Sequence, residues 1–386
     1  MNFLSTQRAS APRKALRILI VPDKFKGTLS AQKAALALAR GWKKARPLDA
    51  IQLLPMGDGG DGFGEVIGEL IGAKQRRTKT VDAAHRPVEA TWWWNQKTKT
   101  AVIESAKVIG LTMLPAGKFH PFQLDTFGLG KIMQAAQKLG CRNCLIGIGG
   151  SATNDGGFGV ARALGWKFLD ASGAEIENWT ALNRLQQICR PPQNLASQMK
   201  VTVAIDVQNP LLGPKGASRI YGSQKGLQRA DFARAERSLK KFAQVSKIFL
   251  KKDFSMEPGA GAAGGLGFGL MAFFGAQPEP GFSIFSECAK LEQQLSKTDL
   301  VLTGEGALDK QTLMGKGVGQ VALLCAKKDV PCIGIAGAVL EPKKAQKLFT
   351  QTHGLTELTS VENAKARPAE FLEKISAQIA RRWSGS

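Results

Sequence analysis

The chain has 386 residues, 44% of them hydrophobic, and carries 53 Lys and Arg against 31 Asp and Glu, a formal charge of +22. This is enough apolar material for two cored domains or one elaborated domain that need neither metal nor disulfide support. No apolar run approaches the roughly 20 residues of a membrane-spanning helix, and the N-terminus lacks the apolar centre of a secretory signal, so no membrane partner is expected and a cytoplasmic location is.

Taken in chain order, residues 1–15 form a basic leader without acidic side chains, expected to be flexible. Then come short β-rich apolar runs, each ending in a glycine- or acid-bearing turn and followed by a helix-like segment. Residues 16–22 lead into Asp-Lys-Phe-Lys-Gly-Thr-Leu-Ser and an alanine-rich helix over 31–44, and residues 51–55 lead into Gly57-Asp-Gly-Gly-Asp-Gly. Segments 79–89 and 90–103 read as extended, with a turn around 95–99; Trp92, Trp93 and Trp94 alternate faces there and serve packing. Residues 144–148 precede Gly149-Gly-Ser-Ala-Thr-Asn-Asp-Gly-Gly, 201–205 precede Asp206-Val-Gln-Asn-Pro, 299–302 precede Thr303-Gly-Glu-Gly-Ala-Leu-Asp, and 332–335 precede Ala336-Gly-Ala. This alternation predicts a doubly wound α/β fold. Its two ends form one domain around an inserted mixed α/β middle, with boundaries at 16–78 plus 295–386 and at 79–294.

Nearly every polar constellation falls at a strand's carboxyl end, where open α/β sheets bind ligands. A nucleoside triphosphate needs backbone N–H groups near its phosphates, a cation, and carboxylates for Mg²⁺. Gly149, Gly150, Ser151 and Asn154 supply the first requirement, with Asp155 and Asp206 as metal or base candidates. A second glycine run holds Gly259, Gly261 and Gly264 in a G-x-G-x-x-G, but no buried strand precedes it, which argues against a dinucleotide fold. That run is read as a close-packed helix start or a phosphate approach. No Walker sequence is present. Lys24, Lys26 and Lys316 are candidate cations for phosphate or substrate carboxylate, and Asp58, Asp61 and Asp309 are further strand-end acids.

The three histidines, His85, His120 and His353, lack metal-ligand spacing. The six cysteines sit beside or within apolar runs and read as reduced, buried thiols; Cys141 and Cys144 form a C-x-x-C without further zinc ligands at the usual interval. The basic residues are scattered and form no aromatic-interleaved array, so nucleic acid is not the expected partner.

Read together, Val21-Pro-Asp-Lys-Phe-Lys-Gly-Thr-Leu-Ser-Ala, Pro55-Met-Gly-Asp-Gly-Gly-Asp-Gly, the run from Gly147 to Gly157, Asp206-Val-Gln-Asn-Pro-Leu-Leu-Gly, Gln224-Lys-Gly, Gly259-Ala-Gly-Ala-Ala-Gly-Gly-Leu-Gly and Leu302-Thr-Gly-Glu-Gly-Ala-Leu-Asp-Lys-Gln-Thr resemble the bacterial glycerate kinase family. The resemblance implies ATP- and Mg²⁺-dependent phosphorylation of D-glycerate, typically to 2-phosphoglycerate with the 3-phosphate as the alternative. It also implies a flavodoxin-like domain built from both chain ends. Lys24, Asp155, Asp206 and Asp309 are then the catalytic candidates, and Lys26, Asp58, Asp61 and Lys316 the substrate-binding ones. Three departures stand out: Ala307 occupies the family's usual arginine position, Ser223 precedes Gln-Lys-Gly in place of proline, and Asp61 stands where glutamate is common. A kinase for another hydroxy acid, a nucleic-acid-binding relative without activity, and a homodimer stay open.

Overall fold

The computed structural model describes residues 14–25, 27–192, 198–315 and 317–383; most of the basic leader, Lys26 and Lys316 lie outside them. The strands are β1 (Arg17–Pro22), β2 (Ala50–Leu53), β3 (Lys74–Val81), β4 (Pro87–Asn95), β5 (Thr100–Glu104), β6 (Asn143–Gly147), β7 (Lys167–Leu169), β8 (Gln187–Cys189), β9 (Lys200–Ala204), β10 (Gln277–Glu279), β11 (Leu300–Leu308), β12 (Cys332–Val339) and β13 (Gln351–Gly354). The chain divides into two compact units, Met1–Met56 with Lys290–Ser386 and Gly57–Ala289.

In the first unit, strands β13-β12-β11-β1-β2 form a parallel sheet in that order. Continuous apolar runs suit a parallel sheet buried on both faces. Ile18, Ile20, Leu300, Leu302, Ile333 and Ile335 form a core with the helices Ala31–Ala45 and Pro368–Arg382. The alternate residues Leu19, Val21 and Val301 are also buried, and the helix Val318–Lys327 contributes Val318, Val321 and Ala322 to the interior. Strands β11 and β12 are longer than expected, because Glu305, Ala307 and Leu308 keep pairing with Ala336, Ala338 and Val339 past the point where turns were predicted. Small side chains allow it: a Cβ on Gly304 would overlap the carbonyl of Ile335.

The second unit holds a sheet in the order β10-β9-β6-β5-β4-β3 and a β7-β8 ribbon. Strands β10, β9, β6 and β5 are mutually parallel, whereas β4 and β3 continue antiparallel, as hairpins do. Trp92 and Trp94 enter the main core, and Trp93 turns to the other face against Gly64 and Gly68 of the helix Phe63–Leu70. That helix packing, together with the β3–β4 pairing, keeps residues 57–78 in this unit instead of with the chain ends. Residues 290–294 go the other way, where Glu292 pairs with Lys328 at 3.1 Å. No helix among the described residues is long and apolar enough to cross a membrane. All six cysteines are free, but Cys189 and Cys288 are only half-buried, so the expectation of uniform burial does not hold.

Candidate active site at the strand ends of the middle unit

The carboxyl ends of β5, β6, β9 and β10 share one edge of the sheet because these four strands run parallel. The loops leaving them carry Glu104, the run 147–157, Asp206 and Gly281, and the turn holding Asp58 and Asp61 packs on the same edge. Asp206 is exposed, and its Oδ1 accepts the Gly281 N–H at 2.9 Å. The Cα of Gly281 in turn packs on the carbonyl of Asp58, so Gly281 lies between the two acids. Asp58 Oδ1 accepts the Gly60 N–H at 3.3 Å, and Asp61 is exposed. Gly150 is exposed with φ of 75°, a left-handed conformation that favours glycine, while the N–H of Gly149 is taken by the carbonyl of Gly59 at 3.1 Å. Of the two glycines expected at phosphate, only Gly150 is open.

Beneath this mouth lies a sealed polar floor. The helix Ala217–Lys225 places Ser218 and Lys225 seven residues apart, hence on one face, and both reach the loop 151–154. Asn154 Nδ2 donates to Ser218 Oγ at 2.9 Å; Lys225 Nζ donates to the Thr153 carbonyl at 2.7 Å and to Ser151 Oγ at 3.2 Å. Lys225 is the last residue before the left-handed Gly226 that stops the helix, so its ammonium also sits at the negative end of the helix dipole. Burial pushes its pKa down to about 7, against the opposing pull of the Asp155 charge. Thr153 Oγ1 and Asn154 Oδ1 are buried without a hydrogen-bond partner.

Asp155 has no solvent exposure. Its Oδ2 accepts from Thr126 N at 2.9 Å, Thr126 Oγ1 at 2.8 Å and Gly159 N at 2.9 Å, and its Oδ1 accepts from Gly157 N at 3.2 Å. Burial first, and the Asp125 charge second, raise its pKa to about 6 despite those donors. Asp155 therefore organises the starts of the helices Phe127–Lys138 and Phe158–Ala163. Among the described residues no group of three or more His, Cys, Asp or Glu is gathered for a metal.

The second glycine run is a packing device. Cβ atoms on Gly259, Gly261 and Gly264 would strike Ile205, the carbonyl of Pro210 and the carbonyl of Thr153. Gly156 N donates to the Gly264 carbonyl at 3.1 Å, and Ser151 Oγ donates to that of Ala263 at 3.2 Å. Ala263, Gly264 and Gly265 all have positive φ, of 54°, 72° and 87°, so Ala263 carries strain that these contacts hold in place. The three glycines expected at a phosphate instead bring one loop's backbone onto the other's.

In the first unit, Lys24 is half-buried at the end of β1, its N–H donating to Asp23 Oδ1 at 2.7 Å. Asp309 is a helix cap: its Oδ1 accepts from Gln311 N at 2.7 Å and Thr312 N at 3.3 Å, and Thr312 Oγ1 donates to Glu305 Oε1 at 2.7 Å. Capping accounts for the Oδ1 contacts of this carboxylate. Ala307 lies within β11 opposite Ala338. Lys26 and Lys316, expected at the substrate, fall outside the described residues.

Sequence reasoning quoted Lys225 only within Gln224-Lys-Gly, without a role, and passed over Ser218, Thr126 and Glu104. The spacing of Ser218 and Lys225, with Gly226 as a stop, was the available signal for that pair. Glu104 is fully buried and caps the helix Phe63–Leu70 through the N–H groups of Gly62 and Gly64, at 3.2 and 3.0 Å, a task that Gly62 at the cap position has no side chain to perform. Burial raises its pKa.

Known proteins are similar to this chain along nearly its whole length. The sequence profile of the Glycerate kinase family matches residues 18–384. A glycerate kinase of Bacillus subtilis (strain 168) is 37% identical over 376 residues, covering 95% of this chain and 97% of that protein. A glycerate 2-kinase of Escherichia coli (strain K12) is 39% identical over 330 residues, 84% of this chain and 86% of its own. A crystal structure from Salmonella typhimurium LT2, of a protein designated glycerate kinase 2, superposes with a TM-score of 0.81 at 32% identity, covering 95% and 98% of the two chains. A match of this extent in sequence and in fold leaves one assignment: the chain belongs to the glycerate kinase family.

Proposed function

We propose that this chain transfers the terminal phosphoryl group of ATP to a hydroxyl of D-glycerate, releasing ADP, a phosphoglycerate and the hydroxyl proton. Family membership supports the reaction class, and the relative named glycerate 2-kinase supports 2-phosphoglycerate as the product. The observation that carries the reading at the level of the site is Lys225. Burying an ammonium costs several kcal/mol, and among the described residues no carboxylate lies within ion-pair distance of this one, although the Asp155 charge acts on it. It is held instead by the carbonyl of Thr153 and the hydroxyl of Ser151, under the loop that exposes Gly150. A fixed positive charge below an open glycine turn suits the negative charge that spreads over a transferring phosphoryl group.

The donor set at the mouth fits Mg²⁺, which takes hard carboxylate oxygens and usually only one or two of them from protein. Asp206 and Asp58, on either side of Gly281, would hold it, and the ion would supply charge neutralisation and alignment of phosphate oxygens. We read the five-stranded sheet as flavodoxin-like and doubly wound; counted within its own unit, its 2-1-3-4-5 order supports this. A cytoplasmic location belongs to the same reading, supported by free thiols and the need for ATP.

The test is ADP release with Mg·ATP and D-glycerate, with L-glycerate, tartronate and no acceptor as controls and phosphorus NMR of the product. Turnover specific to D-glycerate is expected, with kcat lowered about 10²- to 10³-fold in Asp206→Asn. Silence from the folded protein overturns the proposal, and near-normal turnover of the variant removes Asp206 from it.

A further inference from the structure

Away from the strand ends, the helices Trp179–Arg184 and Phe232–Leu250 enclose a recess of about 280 Å³. Arg184, Arg234 and Arg237 line it, with Thr180, Asn183 and Ser238 and without any acidic residue. Arg234 and Arg237 are three apart on one helix, a spacing at which like charges work against each other. Several basic residues elsewhere are paired, Arg17 with Asp299, Arg86 with Asp82, Lys247 with Asp253 and Lys374 with Glu370. Among the described residues neither Arg184 nor Arg237 has a carboxylate within ion-pair distance. The acids of that helix are engaged elsewhere: Glu236 accepts the Gly213 N–H at 3.1 Å and faces Arg219, and Asp231 is engaged by His120 at 3.1 Å and by Gln228 N at 2.8 Å.

The remaining polar groups sharpen the chemistry. Thr180 Oγ1 donates to Asn178 Oδ1 at 2.8 Å, and Ser238 Oγ donates to the Thr180 carbonyl at 2.9 Å, so both hydroxyl protons are spent. Arg234 is pinned, donating to Thr180 Oγ1 at 3.3 Å with its guanidinium 4.9 Å from the Phe122 ring centroid. What the recess offers is donors: the guanidiniums and the Asn183 amide. Guanidinium forks match the acceptor-only oxygens of phosphate, and the ring of Phe122 is covered by Arg234 and so closed to base stacking.

We propose that this recess binds a small phosphorylated anion, gripped by Arg184 and Arg237 with Arg234 fixed beside them. The test is calorimetric titration of the full chain with inorganic pyrophosphate, in Mg²⁺-free buffer at constant salt containing saturating ADP to occupy the nucleotide site. One pyrophosphate per chain is expected, with affinity at least tenfold weaker in Arg184→Gln/Arg237→Gln, an intermediate loss in Arg237→Gln, and unchanged D-glycerate turnover in both variants. Equal affinity in wild type and double variant overturns the proposal, as does no binding to either. Loss of duplex DNA binding in the double variant without any change toward pyrophosphate also overturns it, in favour of a nucleic-acid surface.

Discussion

The two glycine runs of the middle unit have similar composition but differ at the turn around Gly150. In 147–157 the exposed Gly150 meets only Ala106 across its missing side chain, at 3.3 Å. In 259–269 each tested glycine faces a neighbour at a distance no side chain could occupy: Gly264 against Thr153, Gly265 against Gly156 and Gly269 against Gly157. Gly156 and Gly157 of the first run are crowded in the same contact, so what sets that run apart is one glycine, Gly150, left open at its turn. Glycine enrichment alone therefore does not identify a phosphate loop; what lies opposite the missing Cβ does.

The sharpest way to break this contrast is Gly264→Ala. Its Cβ would overlap the Thr153 carbonyl at a φ of 72°, so we expect destabilisation of about 4 kcal/mol or more and a large fall in the thermal midpoint, with activity lost along with the fold. An unchanged midpoint would mean that the two runs are not locked together.

Lys225 braces the run that carries Gly150, through Ser151 and the Thr153 carbonyl, and its removal should separate activity from stability. Lys225→Met is expected to lower kcat/KM about 10²- to 10³-fold with a thermal midpoint near that of wild type, because the change also removes a buried charge. The sign of the pH effect follows from its depressed pKa. Lys225 is charged below about pH 7 and loses its proton above it, so kcat/KM should fall roughly tenfold per unit on the alkaline side. Lys225→Arg, always charged, should remove that limb from the pH–rate profile; a limb that persists belongs to another group.

Gly150→Ala is the mildest of these changes. Its left-handed φ costs about 1 to 2 kcal/mol for a non-glycine residue, but the methyl has room, so the chemical denaturation midpoint should shift modestly while the fold persists. A loss as large as that of Gly264→Ala would erase the distinction between the runs.

Much of this was legible in the sequence because it depends on short-range pattern. Apolar runs followed by glycine- or acid-bearing turns correspond to β1, β2, β6 and β9, and the alternation of Trp92 to Trp94 matches their opposed faces. Gly-Glu-Gly-Ala-Leu was misread as a turn because its strand character comes from pairing with 336–339, about 30 residues further on. The contacts of Asp155 and Asp309 were not legible for a related reason. An acid after a strand looks the same in sequence whether it meets solvent or accepts backbone N–H groups, and only the fold brings Thr126 to Asp155. Lys225 was legible as part of Gln224-Lys-Gly, but its burial was not, because a lysine is ordinarily a surface residue and its partners lie on a loop some 70 residues earlier.

The position of Asp155 has a dynamic consequence. One carboxylate holds Thr126 at the start of one helix and Gly157 and Gly159 at the start of another, while Thr126 Oγ1 also accepts from Val160 N at 2.8 Å. Neither helix can fray from its N-terminus without stranding acceptors that serve the other. The two starts form a single opening unit whose amides exchange with solvent together, so the short helix Phe158–Ala163, too brief to persist alone, takes the protection of its longer partner.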